Sequence, residues 1–164
     1  MRDLQSIAIL LQLHPKVRPD FQAFIEECEE QYDITLRISS PAFRTIAAQA
    51  KIYAVGRTTV GENPTAAMPM GAVITDAPPG SSYHNYGLAT DLGIVLANGS
   101  ISYNFDYSKF ANIGEQWGIT WGGNFPGKFK DYDHFEEQCG YGWRALYDKY
   151  QGKDFIPGTE FVNL

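Results

Sequence analysis

The chain has 164 residues, 44% of them hydrophobic and 20% charged, a composition that excludes a disordered protein and predicts one globular domain over residues 1–164. Its formal net charge of −6 argues against a protein that binds the phosphates of nucleic acids. No segment has the length and apolarity of a membrane span, and residues 1–13 lack the apolar core and cleavage site of a signal peptide. We expect a protein that is cytoplasmic as synthesised, and we expect a monomer.

The first half of the chain predicts three helices and one strand. Apolar residues recur at helical spacing over residues 3–12 and 18–32. Residues 34–39 alternate and are rich in branched side chains, which predicts a strand. Ser40 and Pro41 are a good N-cap and first-turn pair, so we expect a third helix to begin there and to end at Gly56.

The segment from Arg57 to Ser82 predicts a long loop. It is rich in proline and glycine and shows no helical or strand periodicity. A loop of this length inside one domain is uncommon and is usually functional. This loop leads directly to His84.

The second half of the chain predicts alternating strands and helices. Strands are predicted over 87–95, 101–105 and 134–136, and helices over 107–117 and 143–150. The first two strands are joined by Asn98-Gly99, a typical hairpin turn. The stretch 121–130 is predicted to be irregular. The sum of these elements is an α+β fold.

The two cysteines predict neither a metal site nor a redox motif. Cys28 and Cys139 lie 111 positions apart, without CxxC spacing. Cys28 falls in a helical apolar pattern, which favours a small buried side chain over half of a disulfide.

Three residues offer the ligands of an open zinc site: His84, Asp91 and His134. Two neutral imidazoles and one carboxylate fill three of the four positions around tetrahedral zinc and leave one for water, which is typical of a catalytic site. Asp131, three positions before His134, is placed to take a proton from that water and pass it to a leaving amine. On spacing alone, a structural role for the two histidines explains the pattern equally well.

Two further polar residues have simpler interpretations. Ser82 lies beside His84, but no serine-centred elbow motif surrounds it, so a hydrogen bond within the site is favoured over a role as nucleophile. His14 precedes a proline at the approach to a helix, and we expect it to be structural.

The sequence resembles a known family of zinc peptidases. The motif S-x-H-x-x-G-x-A-x-D over residues 82–91, W-G-G over 121–123 and D-x-x-H-F-E over 131–136 are similar to those of the zinc D-Ala-D-Ala carboxypeptidase/dipeptidase family, peptidase family M15. Within that family, the likeness is strongest to the L-alanyl-D-glutamate peptidases of phage endolysins. It covers roughly residues 13–137.

The resemblance implies a fold, a metal and a reaction. The implied fold is the hedgehog/DD-peptidase type, a single domain with a small antiparallel sheet flanked by helices. The implied metal is Zn²⁺ on His84, Asp91 and His134, with Asp131 as the catalytic acid and base. The implied reaction is hydrolysis of a peptide bond in peptidoglycan stem peptides, between L-Ala and D-Glu, with a D-Ala-D-Ala carboxypeptidase as the alternative.

The resemblance also implies how the substrate is bound. Arg44 matches an arginine that faces the substrate carboxylate or the scissile carbonyl in relatives, and Ser82 matches a serine beside the metal. Where relatives often carry proline, this chain has Asp133, so two carboxylates compete for the catalytic position. We favour Asp131, because its spacing matches the family and because a strand would turn Asp133 to the face opposite His134.

Two other function classes share the ligand set. A non-haem iron oxygenase also uses two histidines and a carboxylate, and Arg144 could pair with an oxo-acid, but the usual His-x-Asp spacing is absent. A zinc-binding domain without catalysis is the other alternative, although Asp131 is present. A phage or prophage enzyme would act on the cell wall after release, and we expect no separate wall-binding domain after His134.

Overall fold

The computed structural model describes residues 1–127 and 129–164. The α-helices are α1 (Leu4–Leu10), α2 (Arg18–Tyr32), α3 (Ile46–Ala54), α4 (Ser108–Gln116) and α5 (Trp143–Gln151). The strands are β1 (Leu36–Ile38), β2 (Ala89–Val95), β3 (Ile101–Ser102), β4 (Thr120–Trp121) and β5 (His134–Glu136). Two short 3-10 helices span Tyr83–Tyr86 and Gly122–Asn124. Within the described residues, no helix is both long and apolar enough to cross a membrane.

The strands form one small antiparallel sheet, as expected for the predicted α+β class. Its order is β1-β2-β5-β4, and β3 pairs with the end of β2 as a hairpin. In the pairing of β2 with β5, Asp91 lies opposite His134 and Ala89 lies opposite Glu136. The sheet therefore brings together two residues that are 43 positions apart in the chain.

One face of the sheet packs on the hydrophobic core. Phe135 is fully buried, and its ring centroid lies 5.1 Å from that of Phe24 in α2 and 6.2 Å from that of Phe110 in α4. Side chains alternate between the two faces of a strand. Because Phe135 points into the core, its neighbours His134 and Glu136 point to the opposite face.

The surroundings of Cys28 and His14 agree with the sequence predictions for these two residues. Cys28 is buried in the core, and both cysteines are free thiols. His14 is buried, its Nδ1 accepts from the amide of Lys16 (3.1 Å), and its Nε2 donates to the carbonyl of Val162 (3.0 Å). His14 thus joins the start of the chain to its C-terminal segment, which is a structural role.

The predicted start of the third helix at Ser40 and Pro41 is wrong. α3 begins at Ile46, and its N-cap is Thr45, whose side chain accepts from the amide of Ala48 at 3.1 Å. The hydroxyl of Ser40 instead donates to Asp91, and the carbonyl of Pro41 accepts from His84. These tertiary hydrogen bonds prevail over the local capping signal.

The segment 121–130 is less irregular than predicted. Thr120 and Trp121 form strand β4, which pairs with β5, and a turn of 3-10 helix follows. The strand predicted over 101–105 is shorter, since only Ile101 and Ser102 pair with β2. The loop from residue 57 to residue 82 contains no helix or strand, as expected.

Candidate active site

One cleft of about 370 Å³ gathers the residues that the sequence singled out. Six of them line it: Arg44, Ser82, His84, Asp91, Asp131 and His134. Asp133 is not among the described residues that line this cleft. The far wall is apolar and comes from the long loop and from the segment after β4, through Ile74, Ala77, Phe125 and Phe129.

Three ligand atoms converge at the polar end of the cleft. Nε2 of His84 lies 3.3 Å from Oδ1 of Asp91, and Nδ1 of His134 lies 3.0 Å from the same oxygen. All three donor atoms lie within 4.8 Å of one another. Nitrogen and carboxylate donors at this separation fit a zinc ion.

Gly87 allows a residue of the 3-10 helix and a residue of β2 to meet. It has a φ of +68°, in the left-handed region that favours glycine. A Cβ there would lie 2.8 Å from the amide nitrogen of His14, which donates to the Gly87 carbonyl at 2.8 Å. The chain therefore turns sharply between His84 and Asp91.

Each histidine is oriented by a hydrogen bond on the side away from the ligand cluster. Nδ1 of His84 lies 3.2 Å from the carbonyl of Pro41, which can only accept, so this nitrogen carries the proton and Nε2 is free to bind a metal. Nε2 of His134 donates to Oε2 of Glu136 at 3.0 Å, which leaves Nδ1 for the metal. Histidine ligands of metals are commonly held in this way.

Asp91 is held in the same manner. The hydroxyl of Ser40 donates to its Oδ2 at 2.6 Å, so Oδ1 is the oxygen that faces the two histidines. Burial raises the pKa of Asp91, but the adjacent His84 and His134 outweigh this effect and hold that pKa well below its usual range. Asp91 is therefore a carboxylate at neutral pH.

The two histidines respond differently to the same carboxylate. Burial lowers the pKa of His84, and Asp91 offsets only part of that effect. Burial also disfavours a charge on His134, but hydrogen bonds to Asp91 and Glu136 raise its pKa to about 10. The difference arises because His134 faces two carboxylates and His84 faces one. A cation bound between the rings is thus met by an excess of negative charge.

Asp131 is a second acidic group in the cleft. Burial raises its pKa to about 6, with His134 opposing and Asp91 and Asp133 adding to the rise. Its amide donates to the carbonyl of Gly122 at 3.3 Å, and a Cβ on Gly122 would collide with the Asp131 carbonyl. This close backbone contact places Asp131 next to His134.

Asp133 has a backbone role beside the cleft. Its carbonyl accepts from the amide of Leu92 at 2.9 Å, which extends the pairing of β2 with β5. Burial raises the pKa of Tyr107, a core residue on the other side of the sheet, and the negative charge of Asp133 adds to this rise.

Arg44 is attached to the metal-ligand segment through its backbone. Its amide donates to the carbonyl of His84 at 2.8 Å, and its carbonyl accepts from Nδ2 of Asn85 at 2.8 Å. Ser82 precedes the same 3-10 helix, and its carbonyl accepts from the amide of Asn85 at 2.9 Å. Arg44 and Ser82 are thus both attached to the segment that carries His84.

Sequence reasoning missed several of these contacts. Glu136 lies in the D-x-x-H-F-E motif, and because a strand places residues 134 and 136 on one face, this period of two could have identified it as a partner of His134. Ser40 and Pro41 carried no such signal, because their roles depend on tertiary contacts. Arg144, considered as a partner for an oxo-acid, instead lies over the ring of Trp143, with its Cζ 4.3 Å from the ring centroid.

Comparison with known proteins identifies the family. A family profile described as D-alanyl-D-alanine carboxypeptidase matches residues 75–137. The peptidoglycan L-alanyl-D-glutamate endopeptidase CwlK of Bacillus subtilis (strain 168) is 31% identical over 144 residues, which cover 81% of this chain and 78% of CwlK.

Two solved structures share the fold. The L-Ala D-Glu endopeptidase ChiX of Serratia marcescens has a TM-score of 0.54 at 20% identity, over 82% of this chain and 86% of ChiX. The vancomycin resistance D,D-pentapeptidase VanY, solved in complex with Zn(II), has a TM-score of 0.56 at 17% identity, over 83% of this chain and 78% of VanY. With the identity to CwlK, the chain belongs to the zinc D-Ala-D-Ala carboxypeptidase/dipeptidase family, peptidase family M15, and is a metallopeptidase.

Proposed function

We propose that this protein hydrolyses the L-Ala-D-Glu bond of peptidoglycan stem peptides with one Zn²⁺ held by His84, Asp91 and His134. The convergence of three donor atoms beside Asp131, in a cleft with an apolar wall, carries the proposal. The choice of bond is supported by the relatives CwlK and ChiX, both of which are L-Ala-D-Glu endopeptidases by name.

The donor set fits zinc, since each ligand has one atom free for the ion and another atom in a hydrogen bond to Pro41, Ser40 or Glu136. When bound, zinc supplies a Lewis acid that polarises the scissile carbonyl and makes a water molecule more acidic.

Asp131 is the general base and then the general acid in this proposal. Its carboxylate accepts a proton from the attacking water as the oxygen–carbon bond forms, and donates that proton to the leaving amine as the carbon–nitrogen bond breaks. Burial supports this role, because a pKa raised to about 6 brings the carboxyl group close to the neutral range in which both steps must occur.

Arg44 and Ser82 orient the substrate. D-Glu in a stem peptide continues the chain through its side-chain carboxyl group, so its α-carboxylate is free beside the scissile nitrogen. A guanidinium binds such a carboxylate by charge-assisted hydrogen bonds. We assign this contact to Arg44 and a hydrogen bond to the substrate backbone to Ser82, since both line the cleft.

A D-Ala-D-Ala carboxypeptidase is the second candidate. The family profile carries that description, and VanY is a D,D-pentapeptidase. In this second reaction, the leaving D-Ala also bears a free α-carboxylate beside the scissile nitrogen, so Arg44 can serve both reactions. The catalytic residues therefore do not separate the two substrates.

Mass spectrometry of digested stem peptides distinguishes the two activities. The zinc-loaded full chain is incubated with purified disaccharide pentapeptide, and the products are sequenced. We expect a fragment with D-Glu at its new amino terminus. Release of free D-Ala would identify a D-Ala-D-Ala carboxypeptidase instead of an L-Ala-D-Glu endopeptidase. An intact substrate would contradict both activities.

The cellular role follows from the substrate. We propose that residues 1–164 act as one catalytic domain and as a monomer on the cell wall, after release from the cell in which the protein is made, as a phage or prophage endolysin would. Size-exclusion chromatography with light scattering tests the monomer. Loss of turbidity of a cell-wall suspension tests the action on intact wall.

A further inference from the structure

Gln49 is the buried residue of α3, and both ends of its amide are hydrogen bonded. Its Oε1 accepts from Nη1 of Arg44 at 3.0 Å, and its Nε2 donates to the carbonyl of Ala77 at 2.8 Å. The reversed amide would set its NH₂ group against the guanidinium and its oxygen against a carbonyl. A buried amide without partners is costly, so these contacts define one orientation.

The contact with Gln49 fixes the part of Arg44 that the backbone does not. The main chain of Arg44 is held by His84 and Asn85, whereas a long side chain beyond Cβ retains several rotatable bonds. Among the described residues, Gln49 is the hydrogen-bond partner of the guanidinium. The other N–H groups of that guanidinium are available to a ligand in the cleft.

The same glutamine also holds the opposite wall of the cleft. Ala77 and Thr75 line this wall. Arg57 holds it independently, since its Nη1 donates to the carbonyl of Thr75 at 2.9 Å and its Nη2 to Oδ1 of Asp76 at 3.1 Å. Within the described residues, Arg57 makes no hydrogen bond to Arg44, so it offers a matched control for the wall alone.

We propose that Gln49 is a positioning residue that holds the guanidinium of Arg44 in the cleft, and that it thereby sets a preference for substrates with a free carboxylate beside the scissile bond. This inference rests on the function proposed above. A carboxylate offers two anionic oxygens to a fixed guanidinium, whereas an amide offers one neutral oxygen and an NH₂ group that is repelled. A mobile guanidinium discriminates less between the two.

Two stem peptides that differ in one group test the preference. One carries D-Glu with a free α-carboxylate, and the other carries the α-amide, D-isoglutamine. We expect the wild-type kcat/KM to favour the carboxylate at least tenfold. Gln49→Met should bring this ratio close to one, chiefly by raising KM for the carboxylate peptide, while the pH profile of kcat stays unchanged.

Two further variants separate Arg44 from the cleft wall. Arg57→Met loosens the wall but leaves Arg44 held, so it should keep the wild-type ratio. Gln49→Glu keeps an acceptor for Arg44 and loses the donor to Ala77, so it should keep the guanidinium in place but lower the ratio, because its negative charge partly neutralises the guanidinium. A wild-type ratio in Gln49→Met, or an equal loss in Arg57→Met, would overturn the proposal.

A measurement on the guanidinium itself does not depend on activity. In ¹⁵N-labelled full-length protein, the side-chain signals of Arg44, assigned with Arg44→Lys, should show restricted rotation in the wild type and in Gln49→Glu. Free rotation is expected in Gln49→Met. Identical signals in wild type and Gln49→Met would show that Gln49 does not hold the guanidinium. If the wild type cleaves neither peptide, the proposed function fails, and the signals still decide the role of Gln49.

Discussion

Nε2 of His134 donates to Oε2 of Glu136 at 3.0 Å, across two residues of one strand. The second oxygen of Glu136 accepts from Nε2 of Gln138 at 2.8 Å, so both oxygens of the carboxylate are occupied. Glu136 therefore fixes the ring of His134 and increases the electron density on the nitrogen that faces Asp91.

We predict that Glu136→Gln weakens zinc binding about 10- to 100-fold, because loss of a carboxylate behind a metal-bound histidine commonly has this effect. Competition with a chromophoric chelator measures the affinity. Glu137→Gln is the matched control, since this adjacent side chain points away from the ligands and accepts a hydrogen bond from Sγ of Cys139 at 3.5 Å. Equal zinc affinity in the wild type and Glu136→Gln would refute this role.

Asp131 and Asp133 are distinguished by substitution and pH. Asp131→Ala should keep its zinc and lose cleavage by at least about 10²-fold, the usual contribution of a general base. Below its pKa of about 6, Asp131 is protonated and cannot accept a proton, so activity should fall as the pH is lowered through that range.

Asp133→Asn should stay active and shift the acidic limb of the pH profile to lower pH. Asp133 contributes to the raised pKa of Asp131 by its charge and by a hydrogen bond, and both effects are lost or weakened in the asparagine variant. Profiles of kcat/KM from pH 4 to 8 check this. Loss of activity in Asp133→Asn, with full activity in Asp131→Ala, would exchange the two roles.

Removal of the metal should abolish activity and lower the thermal stability. Three elements meet at the site, namely the first 3-10 helix, β2 and β5, so an ion bound there links them. A ligand present at 1,000 times its Kd stabilises the folded state by about 4 kcal/mol. Calorimetry of chelator-treated protein, before and after zinc is restored, measures the change in Tm. His84→Ala should show no response to added zinc, and hydrolysis by the metal-free wild type would argue against a metallopeptidase mechanism.

Asp3 should contribute to stability in a pH-dependent way. A hydrogen bond from Arg37 lowers the pKa of this buried carboxylate from 3.8 to about 2, against the effect of burial and with help from Ser6. A depressed folded-state pKa contributes stability above the unfolded pKa, and this stability is lost as the pH falls from about 4 to about 2. Asp3→Asn should therefore lower the free energy of unfolding by about 2 kcal/mol at pH 7.

Urea unfolding of the wild type and Asp3→Asn at pH 7, 4 and 2 measures this dependence. The difference between the two proteins should narrow as the pH decreases. Asparagine keeps an acceptor for the amide of Ser6, so the cap of α1 is retained in the variant. A difference that is constant with pH would assign the effect to packing.

Gly122→Ala should displace the carboxylate of Asp131 while the metal stays bound. An added Cβ at this position would meet the backbone carbonyl of Asp131 and lie 3.1 Å from Cβ of His134. We expect a loss of kcat larger than any loss of zinc affinity. Gly142→Ala is the control, because a Cβ there has open space around it. Wild-type kcat in Gly122→Ala would show that the cleft tolerates this shift.

The sequence predicted elements where local pattern and tertiary structure agree. Helix α2 and strand β5 have the predicted bounds, because the apolar face of α2 and the central Phe135 of β5 both enter the core. It failed at Ser40 and Pro41, whose capping signal is overridden by contacts with Asp91 and His84. Strand β4 was missed because two residues carry little periodicity, and its pairing depends on a strand far along the chain.

The ligand residues could be proposed from their types and motifs, whereas their orientation could not. Nothing local indicates that Nε2 of His84 and Nδ1 of His134 are the nitrogens that face Asp91. That choice depends on partners 43 positions away for His84 and two positions away for His134. Only the pairing of His134 with Glu136 could have been predicted from the sequence, because the two residues lie on one face of one strand.

The backbone hydrogen bond from Arg44 to His84 fixes the distance between the main-chain segments of these two residues in the cleft. The main chain beside the proposed metal site and the main chain of the proposed substrate-binding arginine are therefore joined by a hydrogen bond that contains no side-chain atom. A change of stem-peptide preference can then come from the side chain of Arg44, through Gln49, or from the wall of the cleft. Engineering of this enzyme should begin with Ile74 and Thr75, which line that wall and have no role in the proposed chemistry.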